Sequence, residues 1–133
     1  MHVSNLGERK LTELDFTRLN KFTAAGAMPQ LADILDEADV VPAQAIPADV
    51  VTMYAQFVIR DPKLQRRQVL VICYPADAEP AKGYVSVLSP AGMGLLGLPV
   101  GALARWVGPG GEESVAQIER ILFQPEATGD YVT

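Results

Sequence analysis

Apolar positions follow two different periods along this 133-residue chain, and the change falls near residue 50. Over residues 12–25, Phe16, Leu19 and Phe22 recur at the spacing of one helical face. Thr12, with Asp15 three residues on, resembles a capping box, and Gly26 is placed to stop the helix. Pro29 suits the first turn of a second helix, which the pattern carries to about Val41 on a stripe of Leu31, Ile34, Leu35 and Ala38. Asp33, Asp36 and Glu37 share its other side. Packing of the two stripes across the short turn at 25–28 predicts an antiparallel helical hairpin, a short coiled coil with arms of roughly 20 Å.

The stretch VPAQAIPADV (41–50) has two prolines and no stripe, and reads as a linker. Beyond it VVTMYAQFVI, RRQVLVICY, YVSVLS, ALARWV and VAQIERILF read as successive strands. Asp61, Pro62 and Lys63 form a turn candidate, and 75–83 reads as a loop. Pro109 and Gly110 sit where a type II hairpin turn wants Pro and Gly. AGMGLLGL, closed by Pro99, has room for two helical turns at most, and the tail QPEATGDYVT is polar. The expected fold class is α+β: a helical hairpin over 1–45, then a mainly antiparallel sheet with one short helix over 46–133.

Composition narrows the function. Hydrophobic residues make up 49% and charged residues 20%, enough to bury a core. No run of 18 apolar residues exists, so no membrane span is expected. MHVSNLGERK has no apolar core of signal-peptide length, and the expected location is cytoplasmic. The single cysteine, Cys73, lies within VLVICY and reads as a core thiol. The net charge of −5 is spread along the chain, and Lys63 with Arg66 and Arg67 is the only basic cluster, read as a solvated strand end. Direct, high-affinity nucleic-acid binding is therefore not expected, because phosphate neutralisation supplies most of that affinity. One histidine, His2, argues against a histidine-based triad or a Cys/His zinc site. No cofactor and no metal are expected.

One motif suggests a nucleotide. Gly92-x-Gly94-x-x-Gly97 has the spacing of a dinucleotide-binding turn, and YVSVLS precedes it as a strand. The motif also requires a full crossover helix and a parallel strand beyond. Pro99 and Gly101 end any helix five and seven residues past Gly94, and the sequence lacks the GK[ST] ending of a P-loop. The glycines are better read as letting a short helix, with Leu95, Leu96 and Leu98, lie close on the concave side of a sheet.

The run VSVLSPAGMGLLGLPVGALARWVGPGGEESVAQIERILFQPEATGDY resembles the C-terminal half of the nucleoside diphosphate kinase regulator family, relatives of the bacterial transcript-cleavage factors GreA and GreB. IPADVVTM and YPAD upstream also fit, so the resemblance spans about residues 46–133, and the QPEAxGDY ending points to the regulator branch. The resemblance implies an N-terminal antiparallel coiled coil, a C-terminal FK506-binding-protein-like domain, and binding to bacterial RNA polymerase near its secondary channel. It implies that the loop opening at Ser-Pro touches the polymerase, here Ser89, Pro90, Ala91, Gly92 and Met93. The same residues also read as a helix start, with Ser89 as cap and Pro90 in the first position. Cleavage factors carry acidic residues at the coiled-coil tip that help hold a metal ion in the polymerase; the turn AAGAMPQ (24–30) has none. The nearest acids, Asp33, Asp36 and Glu37, read as a solvated helix face or as a contact for a basic partner surface.

The expected function is thus that of a non-catalytic, monomeric, polymerase-binding regulator. Two alternatives stand beside it. A peptidyl-prolyl isomerase would need aromatics converging on one pocket, and the strand parity scatters Tyr54, Phe57, Tyr74, Tyr84, Trp106, Phe123 and Tyr131 over both faces. A direct adaptor for a nucleotide-metabolising enzyme would use the acidic helical face.

Overall fold

A computed structural model describes residues 9–23 and 29–131 of the chain. His2, Gly26 and the turn at 25–28 lie outside them. Lys10–Thr12 forms strand β1 and Glu13–Thr23 helix α1; Pro29–Glu37 forms α2 and Asp39–Val41 strand β2. The remaining strands are β3 (Gln56–Arg60), β4 (Arg67–Cys73), β5 (Tyr84–Ser86), β6 (Leu103–Val107) and β7 (Glu113–Phe123), with the short helix α3 (Pro90–Leu95) between β5 and β6. The fold is mixed α+β: a curled sheet of order β5-β4-β3-β7-β6, a small β1-β2 sheet and few helices.

The helical stripes fall as their spacing predicts. Leu19 of α1 and Leu31 and Leu35 of α2 are buried, and Phe16, Phe22, Ile34 and Ala38 pack beside them. These leucines belong to the same apolar cluster as Phe57, Ile59, Leu70, Ile72, Leu95, Leu96, Leu98 and Ile118. The Asp15 amide donates to Thr12 Oγ1 at 3.0 Å, so Thr12 caps α1.

Several expectations need correction. Helix α2 ends at Glu37 rather than near Val41, and residues 39–41 pair in parallel with β1. Two β-branched residues followed by Pro42 explain this, since a proline pushes the residue before it into the extended region. The strand expected from Val50 begins only at Gln56. Residues 50–53 and Ala55 are buried but off the ladder, and Tyr54 has φ 65°. Their amides go elsewhere: Val51 donates to Leu98 O (3.0 Å) and Tyr54 to Ile72 O (2.8 Å). Strands β4 and β5 pair in parallel, an exception in an otherwise antiparallel sheet; the connection through 3-10 turns at Pro75–Asp77 and Pro80–Lys82 is long enough to cross over. In the β6–β7 turn the positive φ falls on Gly111, not on the Gly110 that a type II turn needs, which is the pattern of a three-residue loop closed by a left-handed glycine. The stretch read as a linker holds a 3-10 turn at Ala43–Ala45, with Ile46 and Val50 buried. The tail is not simply solvated: Gln124 and Glu126 are buried.

The glycine run is a packing device. A Cβ on Gly92 would lie 2.1 Å from Ser86 O, and one on Gly97, at φ 80°, would lie 2.6 Å from Arg9 Cγ and 2.9 Å from Lys10 O. Gly94 is less tight, 3.3 Å from Trp106 Cβ and Cε3. The absent side chains let α3 press against β5, β6 and the segment before β1, burying Leu95, Leu96 and Leu98. Gly92→Ala is therefore expected to cost about 3 kcal/mol through overpacking, Gly97→Ala somewhat less, and Gly94→Ala least. Urea unfolding of the three variants checks that order.

Candidate functional site

Strand β5 delivers the chain to the Ser-Pro turn. Ser89 is extended and caps α3: its Oγ accepts the Gly92 amide at 3.1 Å and donates to Ser86 O at 2.6 Å, with Pro90 in the first helical position. Ser89, Pro90 and Ala91 are half-buried and reach the surface, whereas Gly92 and Met93 are buried. Met93 is thus mostly covered, although it still lines the groove between α2 and α3.

Two open grooves flank this turn. The first, about 350 Å³, is largely apolar and lined by Ala78, Pro80, Val85, Ala91, Trp106 and Pro109, with Pro90 at its edge. The second, about 310 Å³, runs between α2 and α3 and has Arg9, Asp33, Ile34, Met93, Arg105 and Trp106 among its walls, with Pro90 again. Asp33 of the acidic face therefore shares a groove with Pro90 and Met93. Asp36 and Glu37 are exposed on the same helix but do not line that groove, although Glu37's charge acts on Arg9. Three residues of this surface escaped the sequence reading as site candidates: Trp106 between the grooves, Arg105 and Arg9. An arginine three positions before a predicted helix carries no local sign that it will lie beneath another helix about 80 residues on.

The aromatic residues do not converge on one pocket. Phe22 stacks on Tyr74 (6.3 Å between centroids), and Tyr54 is tilted against Tyr74 (5.9 Å). Phe57 is in the core, while Tyr84, Phe123 and Tyr131 are exposed on the surface. The Tyr54 hydroxyl donates to Asp77 and accepts the Tyr74 amide; burial and the Asp77 hydrogen bond push its pKa up to about 12. Among the described residues no group of three or more His, Cys, Asp or Glu is placed to share a metal ion, and no helix is long and apolar enough to cross a membrane.

A second polar locus lies inside the molecule, where α1, residues 52–53 and the tail meet. Asp15 is 1% exposed, and its Oδ2 accepts the Met53 amide at 3.4 Å. Thr52 Oγ1 donates to Glu126 Oε1 at 2.7 Å, and Gln124 Nε2 donates to the carbonyls of Pro47 (2.8 Å) and Val50 (2.9 Å). Burial first, and the Glu126 carboxylate second, push the Asp15 pKa up to about 7, against the opposing pull of Met53, Thr12 and Arg18.

Comparison with known proteins identifies the family. The family model "Transcription elongation factor, GreA/GreB, C-term" matches residues 46–122, and the chain belongs to that family. Within it, the chain is 36% identical over 98 residues to the "Regulator of nucleoside diphosphate kinase" of Escherichia coli (strain K12), covering 74% of this chain and 72% of that protein. It is 29% identical to "Transcription elongation factor GreA" of Rhodopseudomonas palustris, over 71% of this chain and 61% of that one. Among solved structures it is similar to a "Prokaryotic transcription elongation factor GreA/GreB from Nitrosomonas europaea", with TM-score 0.73, 29% identity, and coverage of 87% and 98%. These relatives are regulators and transcription factors by name.

The buried carboxyl makes a testable demand. An unfolded aspartic acid gives up its proton near pH 4, whereas folded Asp15 holds it to about 7. The folded state therefore binds the extra proton between those values. Stability from this site is greatest at low pH and is lost as pH rises to about 7. Asp15→Asn keeps an acceptor for the Met53 amide and carries no charge. Its stability relative to the parent is expected to improve by about 2 kcal/mol between pH 5.5 and pH 8, measured by urea unfolding at both pH values.

Proposed function

We propose that this chain is a non-catalytic regulator that binds bacterial RNA polymerase near its secondary channel and modulates elongation. The observation that carries this reading is the family match over residues 46–122, joined to a surface on which Ser89, Pro90 and Ala91 stand between two open grooves. In this reading residues 46–133 are an FK506-binding-protein-like docking domain, and residues 1–45 a short helical hairpin at the channel mouth. The acidic face of α2, with Asp33, Asp36 and Glu37, turns toward a basic surface of the partner.

The helices favour a steric role over a chemical one. At 11 and 9 residues, α1 and α2 are each about 15 Å long. The connecting segment, AAGAM, contains no carboxylate. Such arms obstruct longer factors at the channel without delivering acids to a catalytic centre. The regulator works by occupancy, as a monomer in the cytoplasm, without cofactor, metal or direct nucleic-acid contact. The link to nucleoside diphosphate kinase, carried by the name of the E. coli relative, then runs through transcription.

Competition tests the reading. Added to polymerase carrying a labelled cleavage factor, the protein is expected to displace the label and to leave backtracked RNA uncut. Val107 is 56% exposed and lines the α2–α3 groove; Val107→Glu is expected to raise the concentration for half-displacement about tenfold without loss of fold. No retention on polymerase at low salt, or cleavage of backtracked RNA, would overturn the reading.

A further inference from the structure

We propose that Arg9 is the positioning residue of this docking surface, fixing helix α3 from its C-terminal end so that Ser89, Pro90 and Ala91 present correctly at the other. The proposal rests on the docking reading above. Helix α3 has only six residues, too few to hold its own geometry in water. Its first turn is secured by Ser89 and Pro90. Its last turn has carbonyls that no further helical turn can pair. Arg9 supplies the donor: Nη1 gives hydrogen bonds to Met93 O at 2.9 Å and to Leu96 O. A guanidinium there also opposes the negative end of the helix.

Arg9 is itself held on both sides. Its carbonyl accepts the Asp39 amide at 2.9 Å, and the next amide, Lys10, donates to Gly97 O at 2.8 Å. Its stem runs against Gly97, where a Cβ would lie 2.6 Å from Arg9 Cγ. Glu37 at the end of α2 adds an opposite charge. The Arg9 backbone thus meets β2 while its side chain joins α3 and faces Glu37 of α2, with the docking turn at the far end of α3. Lysine has the charge but not the planar array of donors, and cannot reproduce the arrangement fully.

The chain contains a reporter. Trp106 is its single tryptophan and packs against Gly94 in the last turn of α3, so its fluorescence follows the seating of that helix. Full-chain Arg9→Ala and Arg9→Lys are compared with the parent in three measurements: thermal unfolding, acrylamide quenching of Trp106, and affinity for purified polymerase. For Arg9→Ala we expect faster quenching and about tenfold weaker binding, with Arg9→Lys intermediate in both and unfolding close to the parent. Should Arg9→Ala fail to fold, the lysine variant alone must show both effects. Unchanged quenching with weakened binding would make Arg9 a direct contact and overturn the proposal, as would parental behaviour in both measurements. If the parent itself does not bind polymerase, the docking reading fails, while the quenching comparison still decides whether Arg9 seats α3.

Discussion

Three segments of the chain meet around Gly97, and the rest of the molecule is arranged to permit that meeting. The Gly97 amide donates to Val51 O and its carbonyl accepts from Lys10, both at 2.8 Å, while the Arg9 stem fills the space where a side chain would stand. Gly92 lets the start of α3 come down on Ser86 in the same way. Close approach at these two points buries Leu95, Leu96 and Leu98 in one core with leucines from α1 and α2. It also leaves the Ser-Pro end of α3 as a supported surface feature rather than a loose loop. A spacing that on paper suggests a nucleotide therefore serves to bring backbones together, for the same reason that nucleotide sites use it: glycine is the residue that gives way to its neighbours.

A second junction joins α1 to residues 47–53 and the tail by polar means. Asp15, Thr52, Gln124 and Glu126 are all buried, and together they connect α1, residues 47–53 and the tail. Burying two carboxyl groups near each other costs stability; the Met53 amide and the Thr52 hydroxyl offset part of that cost, while Asp15 Oδ1 has no hydrogen-bond partner. The QPEA segment has a structural role here: Gln124 closes on two carbonyls and Glu126 on Thr52. The junction at Gly97 rests on backbone hydrogen bonds and the burial around them, that at Asp15 on titratable side chains, so the two respond differently to pH.

Much of this was legible in the residues, and what was not has identifiable causes. The stripes of α1 and α2, the cap at Ser89, the burial of Cys73 and the role of the glycines all follow from local spacing, because short-range geometry decides them. The α2–β2 boundary could have been read from Val40, Val41 and Pro42, a signal overridden by extending the stripe to Ala38. The disruption at residues 50–55 was not readable locally, since amides that a strand would spend on its neighbour are claimed by Ile72, Leu98 and Asp15, all distant in sequence. The same holds for Arg9 and for the parallel pairing of β5. On the proposed docking surface, the turn at Ser89 was visible, but the grooves and the place of Trp106 between them depend on how β6 packs against α3.

Hydrogen–deuterium exchange of the protein alone and bound to polymerase tests the central claim most directly. The account predicts new protection over residues 84–91 and 105–109, on both sides of the Ser-Pro turn, with the Tyr54–Tyr74 region unchanged. Protection confined to the Tyr54–Tyr74 side or the outer face of β4 and β7, with the Ser-Pro turn still exchanging freely, would contradict it.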